Sequence, residues 1–181
     1  MTPGLTTDLL ASVSRSFYLS LRFLPGPVRA PLSLSYLLAR AADTVADSPA
    51  VPGVAEPDVL LAEMETLLAS AHPEAGAVAG FCARAAEFAA GVDHEGERCL
   101  LLRLEECFTA LAATSEPSAG LIRRVLGLII RGQRLDLARF PGGAVRALPD
   151  AAALDEYTWL VAGCVGEVWT DICHVQVPGF A

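Results

Sequence analysis

Prolines divide this sequence into segments of helical length, and this division limits the folds that the chain can adopt. Alanine and leucine dominate the segments, and no stretch of useful length alternates apolar and polar residues as a half-buried strand does. Most of the prolines and several glycines fall between the apolar segments rather than inside them. The pattern predicts about seven helices, over residues 8–23, 28–47, 57–72, 77–90, 97–114, 119–140 and 151–174. We therefore predict an all-α fold, a single helical bundle.

The charged residues exclude several large classes of protein. The 181 residues include 13 basic and 21 acidic side chains, and every basic residue is an arginine. Without a lysine the chain cannot be a phosphate-loop NTPase, a protein kinase or a pyridoxal Schiff-base enzyme. Its net charge of −8 also argues against a general nucleic-acid binder, which needs a basic face.

The apolar composition and the cysteines predict the cellular compartment of the protein. Apolar residues make up 53% of the chain, but the longest stretches without a charge are about half of the ~20 residues that a spanning helix needs. We see no pattern of a signal peptide at the start. The five cysteines show no CxxC spacing, and small buried thiols are a more economical interpretation than disulfides or a metal site. These features predict a reduced, cytoplasmic protein.

A polar stripe interrupts the otherwise apolar segment 28–47. Its members are spaced by four, three and four residues, so they share one helical face: Tyr36, Arg40, Asp43 and Asp47. Two carboxylates one turn apart repel each other strongly when buried without a cation. They are suitable ligands for Mg²⁺, which takes few carboxylates together with phosphate oxygens and water. The alternative is a partly exposed polar stripe near a helix end.

Two further segments carry weaker signals. Ser14, Arg15, Ser16 and Phe17 lie in an amphipathic segment, where an arginine between serines can bind a phosphate group. Mid-helix serines more often bond back to the preceding turn, which is the alternative. In residues 154–166, Gly163 and Gly166 leave a notch in a helix, which indicates either close helix packing or a ligand against the backbone.

Taken together, these segments resemble the squalene and phytoene synthase family. The resemblance rests on the order and spacing of three motifs, at residues 14–17, 36–47 and 157–166, and on the stretch 132–137, which contains Gln133. It covers about residues 12–170. Members of this family are all-α isoprenoid synthases that join two prenyl diphosphates head to head with Mg²⁺.

The resemblance implies a role for each matching residue. Asp43 and Asp47 would hold Mg²⁺ against the substrate diphosphate, and Tyr36 and Tyr157 would act near the reacting groups. The remaining matches would contact the diphosphate or the prenyl chain: Ser14, Arg15, Ser16, Phe17, Tyr36, Arg40, Gln133, Val161, Ala162 and Gly166.

The resemblance also implies a reaction, with alternatives left open. The expected reaction converts farnesyl diphosphate to squalene through presqualene diphosphate, with NADPH as the reductant. Phytoene or dehydrosqualene synthesis, without NADPH, is one alternative, and a catalytically silent helical binding module is another. The apolar product predicts peripheral association with a membrane.

The chain departs from the family pattern in one major respect. The family carries a second aspartate-rich motif on a later helix, and residues 1–181 end before that helix would begin. Acidic residues at 93, 95 and 97 fall in a predicted turn and offer no substitute. We therefore expect residues 1–181 to form a partial isoprenoid-synthase domain, which would expose apolar surface and self-associate.

Overall fold

The protein is a bundle of ten α-helices in the part of the chain that the computed structural model describes, residues 4–14, 17–141 and 145–180, without the side chain of residue 6. The helices are α1 (Leu10–Ser14), α2 (Phe17–Arg22), α3 (Gly26–Asp47), α4 (Pro57–Ala69), α5 (Ala75–Phe88), α6 (Glu95–Leu102), α7 (Leu104–Ala112), α8 (Ser118–Arg139), α9 (Ala151–Thr158) and α10 (Cys164–Gln176). Two π-helical segments, Leu5–Leu9 and Trp159–Gly163, adjoin α1 and connect α9 to α10. No strand occurs among the described residues, which confirms the predicted all-α class.

The predicted helices overlap the observed ones, but several of them are not single α-helices. The predicted helix 8–23 begins in a π-helical segment, and 151–174 forms α9, a π-helical segment and α10. The prediction of a single helix over 97–114 was wrong, because Arg103 leaves helical geometry with φ −110° and ψ 16° and separates α6 from α7. A bidentate ion pair from Arg103 to Glu106 spans this break. Helix α9 begins at the predicted residue 151, because the Asp150 side chain accepts a hydrogen bond from the backbone N–H of Ala153 at 2.8 Å and caps the helix.

Helix α8 lies at the centre of the bundle and packs against α3, α4 and α10. Its buried residues recur every three or four positions, so that they face the neighbouring helices: Ala119, Ile122, Val125, Leu126, Ile129, Ile130 and Gln133. A glycine at position 132 permits a particularly close approach. A Cβ there would lie only 3.1 Å from the Cβ of Leu160, in the π-helical segment.

Helix α3 combines a broad buried face with the polar stripe. Buried apolar side chains, including Leu34, Leu37 and Leu38, anchor the helix in the common core. At about 25 cal/mol per Å² of apolar surface, burying each leucine contributes roughly 2 kcal/mol. This anchoring fixes the rotation of α3 and therefore the direction of the polar stripe.

The described part of the chain contains no helix that is long and apolar enough to cross a membrane. All five cysteines are free thiols, and four of them are buried. Burial raises the pKa of the Cys107 thiol to about 12 and that of Cys82 to about 11, so both stay protonated at neutral pH. These cysteines therefore act as small apolar core residues.

Candidate functional site

The polar stripe of α3 keeps the shared direction that its spacing predicts. Tyr36, Arg40 and Asp43 are partly buried, and Asp47 is exposed near the end of the helix. The charge of Asp47 acts on Asp43, so the two carboxylates are coupled electrostatically. The stripe thus runs from the partly buried phenol of Tyr36 to the exposed carboxylate of Asp47.

Asp43 is held by groups from two helices. The amide Nε2 of Gln133, on α8, donates a hydrogen bond to Asp43 Oδ1. Arg40 Nη1, one turn earlier on α3, lies 3.8 Å from Asp43 Oδ2. Burial nevertheless raises the pKa of Asp43, and the contacts with Gln133 and Arg40 only partly offset this effect. A cation bound next to Asp43 would relieve the same cost.

Arg40 has a second carboxylate partner, Glu97, which the sequence analysis considered only as a substitute for the second aspartate-rich motif and rejected in that role. Glu97 lies in the first turn of α6, and its Oε1 accepts a hydrogen bond from Arg40 Nη2. Burial alone would lower the pKa of Arg40, but the hydrogen bond and charge of Glu97 reverse this effect and raise it. No pattern within α6 indicates this contact, because it depends on how α6 packs against α3.

Aromatic rings close one side of the stripe. Phe17 stacks on Tyr36 with ring centroids 5.2 Å apart and meets Trp169 of α10 edge to face at 5.9 Å. The Tyr36 hydroxyl donates to the carbonyl oxygen of Val13 at 3.4 Å. Burial and the nearby carboxylates raise the pKa of Tyr36, so it is a neutral phenol at pH 7. Phe17 thereby links α2 to both α3 and α10.

A cavity of about 240 Å³ begins at this polar stripe and continues between apolar side chains. Among the described lining residues, Ser35, Tyr36 and Asp43 are the ones with hydroxyl or carboxylate groups. The others are Phe17, Leu32, Ala39, Val125, Ile129, Val161, Val165, Val168 and Trp169. A second cavity of about 290 Å³, between α4, α5 and α7, contains no residue of the stripe. We therefore take the smaller cavity as the candidate site, because Tyr36 and Asp43 of the polar stripe line it.

The serine-arginine segment is placed only in part. Ser14 is buried, and its hydroxyl donates to the carbonyl oxygen of Leu10 at 2.5 Å, which is the back-bonding alternative. Arg15 and Ser16 lie outside the described residues. A role of this segment in binding a diphosphate stays a prediction.

The residues of the third motif do not share one location. Val161 lines the cavity, whereas Ala162 and Gly166 are exposed and are not among its lining residues. Tyr157 also lies away from the cavity, in a shallow pocket beside Leu154, and donates a hydrogen bond to Asp136. Burial, followed by the charge and hydrogen bond of Asp136, raises the pKa of Tyr157.

The glycines of this motif do not make a close contact between helices, which was one of the two explanations expected for them. A Cβ at Gly166 would meet nothing within 4 Å, and one at Gly163 would meet only Trp159 of the same segment. The close approach occurs instead at Gly132, whose neighbour is Leu160. The sequence signal for it was a glycine inside the apolar pattern of α8, next to Gln133.

The donor atoms at the stripe suit Mg²⁺ only when a ligand supplies further oxygens. Among the described residues there is no group of three or more His, Cys, Asp or Glu side chains that could hold a metal ion by itself. Mg²⁺ commonly uses only one or two carboxylates, with water and phosphate oxygens completing its octahedron. The coupled pair Asp43 and Asp47 fits this pattern. Beside it, the buried Oε1 of Gln133 has no hydrogen-bond partner and could accept from metal-bound water.

A comparison with protein-family models identifies the family to which the chain belongs. The model of the squalene/phytoene synthase family matches residues 10–179. The chain belongs to the squalene/phytoene synthase family. This match includes every residue that the sequence analysis singled out for a role at the site. A search of curated proteins finds no significant match.

Solved structures agree on the fold. Two complexes of the squalene synthase TcSQS, one with the ligand E5700 and one with BPH1237, superpose with TM-scores of 0.63 and 0.65 at 24% identity. The matches cover 93% and 94% of this chain but only 43% of each of those chains. The likeness thus establishes the isoprenoid-synthase fold over less than half the length of those relatives.

Proposed function

We propose that this chain supplies the first metal-binding half of an enzyme that condenses two prenyl diphosphates head to head in the presence of Mg²⁺. One observation carries the proposal: Tyr36 and Asp43 of the polar stripe line a cavity whose other walls are mostly apolar. A prenyl diphosphate has the same division, with a highly charged head and a hydrocarbon tail. Family membership supports this chemistry.

Each part of the site suits one requirement of the reaction. Asp43 and Asp47 would hold Mg²⁺, which when bound neutralises charge on the leaving diphosphate. Gln133 fixes the direction of Asp43, and Arg40 supplies a permanent positive charge beside it. The stacked rings of Phe17 and Tyr36 and the apolar wall would exclude water from an allylic cation and face it with π-electrons.

For the substrate we propose farnesyl diphosphate, with squalene as the product and NADPH as the reductant. Phytoene or dehydrosqualene synthesis is the second candidate, because the described cavity does not distinguish the length of the prenyl chain. An apolar product of either kind would be released most readily into a membrane, which supports peripheral membrane association of the enzyme. In the binding-module alternative, the exposed Val161 and Val165 would instead contact another protein or a second copy of this chain.

The test uses the protein as its gene encodes it, including any sequence that follows residue 181. In the double variant Asp43→Asn, Asp47→Asn, the rate of Mg²⁺-dependent consumption of farnesyl diphosphate should fall at least about a hundredfold. The reason is that the Mg²⁺ ion that neutralises the diphosphate would lose both of its carboxylate ligands. Asp93→Asn, which changes an exposed carboxylate outside the stripe, is the matched control. Unchanged turnover in the double variant would refute the metal assignment.

Product analysis with farnesyl and geranylgeranyl diphosphate, with and without NADPH, separates the two candidate reactions.

A further inference from the structure

Glu97 and Arg40 form an ion pair that joins two helices at the edge of the candidate site. Glu97 extends from the first turn of α6, and Arg40 lies in the middle of the polar stripe on α3. The two side chains are only 17% and 30% exposed, so water screens the pair weakly. The pair is therefore stronger than an ordinary surface ion pair.

The local charges show what this pair does to the site. Arg40 is the cation of the stripe, and it faces Glu97 by a hydrogen bond and Asp43 at 3.8 Å. Asp47 adds a third carboxylate that acts on Asp43. Among the groups that the structure describes around Arg40, one positive charge thus stands against three negative charges. Arg40 already directs a guanidinium N–H toward Glu97. An approaching diphosphate meets net repulsion unless a divalent cation arrives with it.

A neighbouring histidine supports the position of Glu97. The backbone N–H of Glu97 donates to His94 Nδ1 at 3.3 Å, which caps α6. Gly96, between these two residues, packs so closely that a Cβ would lie 2.8 Å from the carbonyl oxygen of Ser12. The start of α6 is therefore held against α1, and Glu97 has little freedom to leave Arg40.

We propose that Glu97 is a positioning residue that occupies Arg40 and thereby makes binding of a diphosphate conditional on a divalent cation. This inference rests on the proposed function, because it assumes that the stripe receives a diphosphate. It assigns Glu97 the task of preventing unproductive binding of the substrate without metal. With the charges of Asp43 and Asp47 offset by a cation, Arg40 would contact phosphate oxygens through the guanidinium N–H groups that Glu97 does not occupy.

The test measures binding of inorganic pyrophosphate to the protein as its gene encodes it by calorimetry, with and without Mg²⁺. We expect the native chain to bind pyrophosphate with Mg²⁺ and very weakly without it. Glu97→Gln keeps an oxygen that can accept from Arg40 but removes the charge. This variant should bind pyrophosphate without Mg²⁺ about tenfold more tightly than the native chain, a coupling of ordinary size. Glu95→Gln, an exposed carboxylate two residues earlier on α6, should match the native chain.

A double variant separates this role from a merely structural one. Arg40→Gln added to Glu97→Gln should abolish the gain in Mg²⁺-free binding, because that gain depends on the released guanidinium. Thermal unfolding of each variant reports on folding, and Glu97→Ser provides a second uncharged side chain with the same expected result if Glu97→Gln does not fold.

The outcomes distinguish the two proposals. Equal Mg²⁺-free affinity of the native chain and Glu97→Gln would overturn the role of Glu97, and so would a gain that persists without Arg40. Absence of pyrophosphate binding by the native chain with Mg²⁺ would instead count against the proposed function. If the native chain does not bind pyrophosphate with Mg²⁺ but Glu97→Gln binds it more tightly without Mg²⁺, the result would still support the control of Arg40 by Glu97.

Discussion

The polar stripe of α3 and the segment from Tyr157 to Gly166 carry the two strongest motifs of the chain, yet their surroundings differ. Stripe residues are held by side chains from other helices, Gln133 from α8 and Glu97 from α6. In the later segment, Val161, Ala162 and Gly166 are exposed, and Tyr157 bonds to Asp136 away from the cavity.

This difference shows which half of the site is complete within the described residues. The stripe already has its supporting hydrogen bonds, so its geometry follows from contacts that the chain itself supplies. In the part of the chain that the structure describes, the later segment leaves an apolar and glycine-containing face largely exposed. Substitutions that remove support from the stripe should therefore be more damaging than those on the exposed face.

Removing the amide that orients Asp43 should have the largest effect. Gln133→Leu in the protein as encoded should reduce Mg²⁺ affinity and turnover by about 10- to 100-fold, because a ligating carboxylate loses the group that orients it. The measurement is the Mg²⁺ dependence of farnesyl diphosphate consumption. Gln176→Leu is a matched control, since it removes an amide that bonds to Ser118 far from the stripe. Equal losses in both variants would show that Gln133 acts through stability alone.

The next effect tests the contact that joins the two regions through α8. Gly132→Leu should lower the free energy of unfolding by about 1–3 kcal/mol, because the new side chain would collide with Leu160. Gly127→Leu, in the same helix, should be neutral or stabilising, since a Cβ there meets nothing within 4 Å. Urea unfolding of both variants provides the comparison. Similar values for the two would indicate that α8 and the π-helical segment can separate without cost.

Phe17 offers a smaller effect, because its ring contacts both regions. Phe17→Ala should lower the free energy of unfolding by about 1–2 kcal/mol through loss of the ring pairs with Tyr36 and Trp169. Phe23→Ala, where the ring is 83% exposed, should change it by less than about 0.5 kcal/mol. Denaturation curves that overlap for the two variants would contradict a structural role of the aromatic stack.

The smallest effect concerns the cost of ionising Asp43. Its pKa is raised in the folded state, so the free energy of unfolding falls as the pH rises from the ordinary aspartate range through the raised value. Asp43→Asn should remove this fall and stabilise the chain at pH 7 but not below the ordinary aspartate range. The gain should be below about 1 kcal/mol, because 44% of the side chain is exposed. A variant that is less stable than the native chain at pH 7 would contradict this reasoning.

Local spacing made the fold class and the stripe predictable. The separations between Tyr36, Arg40, Asp43 and Asp47 fix one helical face whatever surrounds it, and the apolar remainder of α3 fixes which way that face points. The break at Arg103 was not predictable in this way, because the apolar pattern continues across it from α6 to α7.

Contacts between helices account for what the sequence could not predict. Glu97 becomes important only because α6 crosses α3 next to Arg40, and no spacing within either helix contains that information. Gly163 and Gly166 drew attention as unusual helix residues, but the close packing occurs at Gly132. Whether a glycine lies against a neighbouring helix depends on the rotation of both helices.

The adjacency of Gly132 and Gln133 has a consequence for how this protein can change over evolutionary time. Gly132 leaves space for the side chain of Leu160, and the adjacent Gln133 orients Asp43. Neighbouring positions of α8 therefore contact both regions. Inserting or deleting one residue earlier in α8 would rotate both by about 100° and remove both contacts at once. We therefore expect length variation among descendants of this chain to accumulate in loops, while the first fifteen or so residues of α8 keep a fixed length.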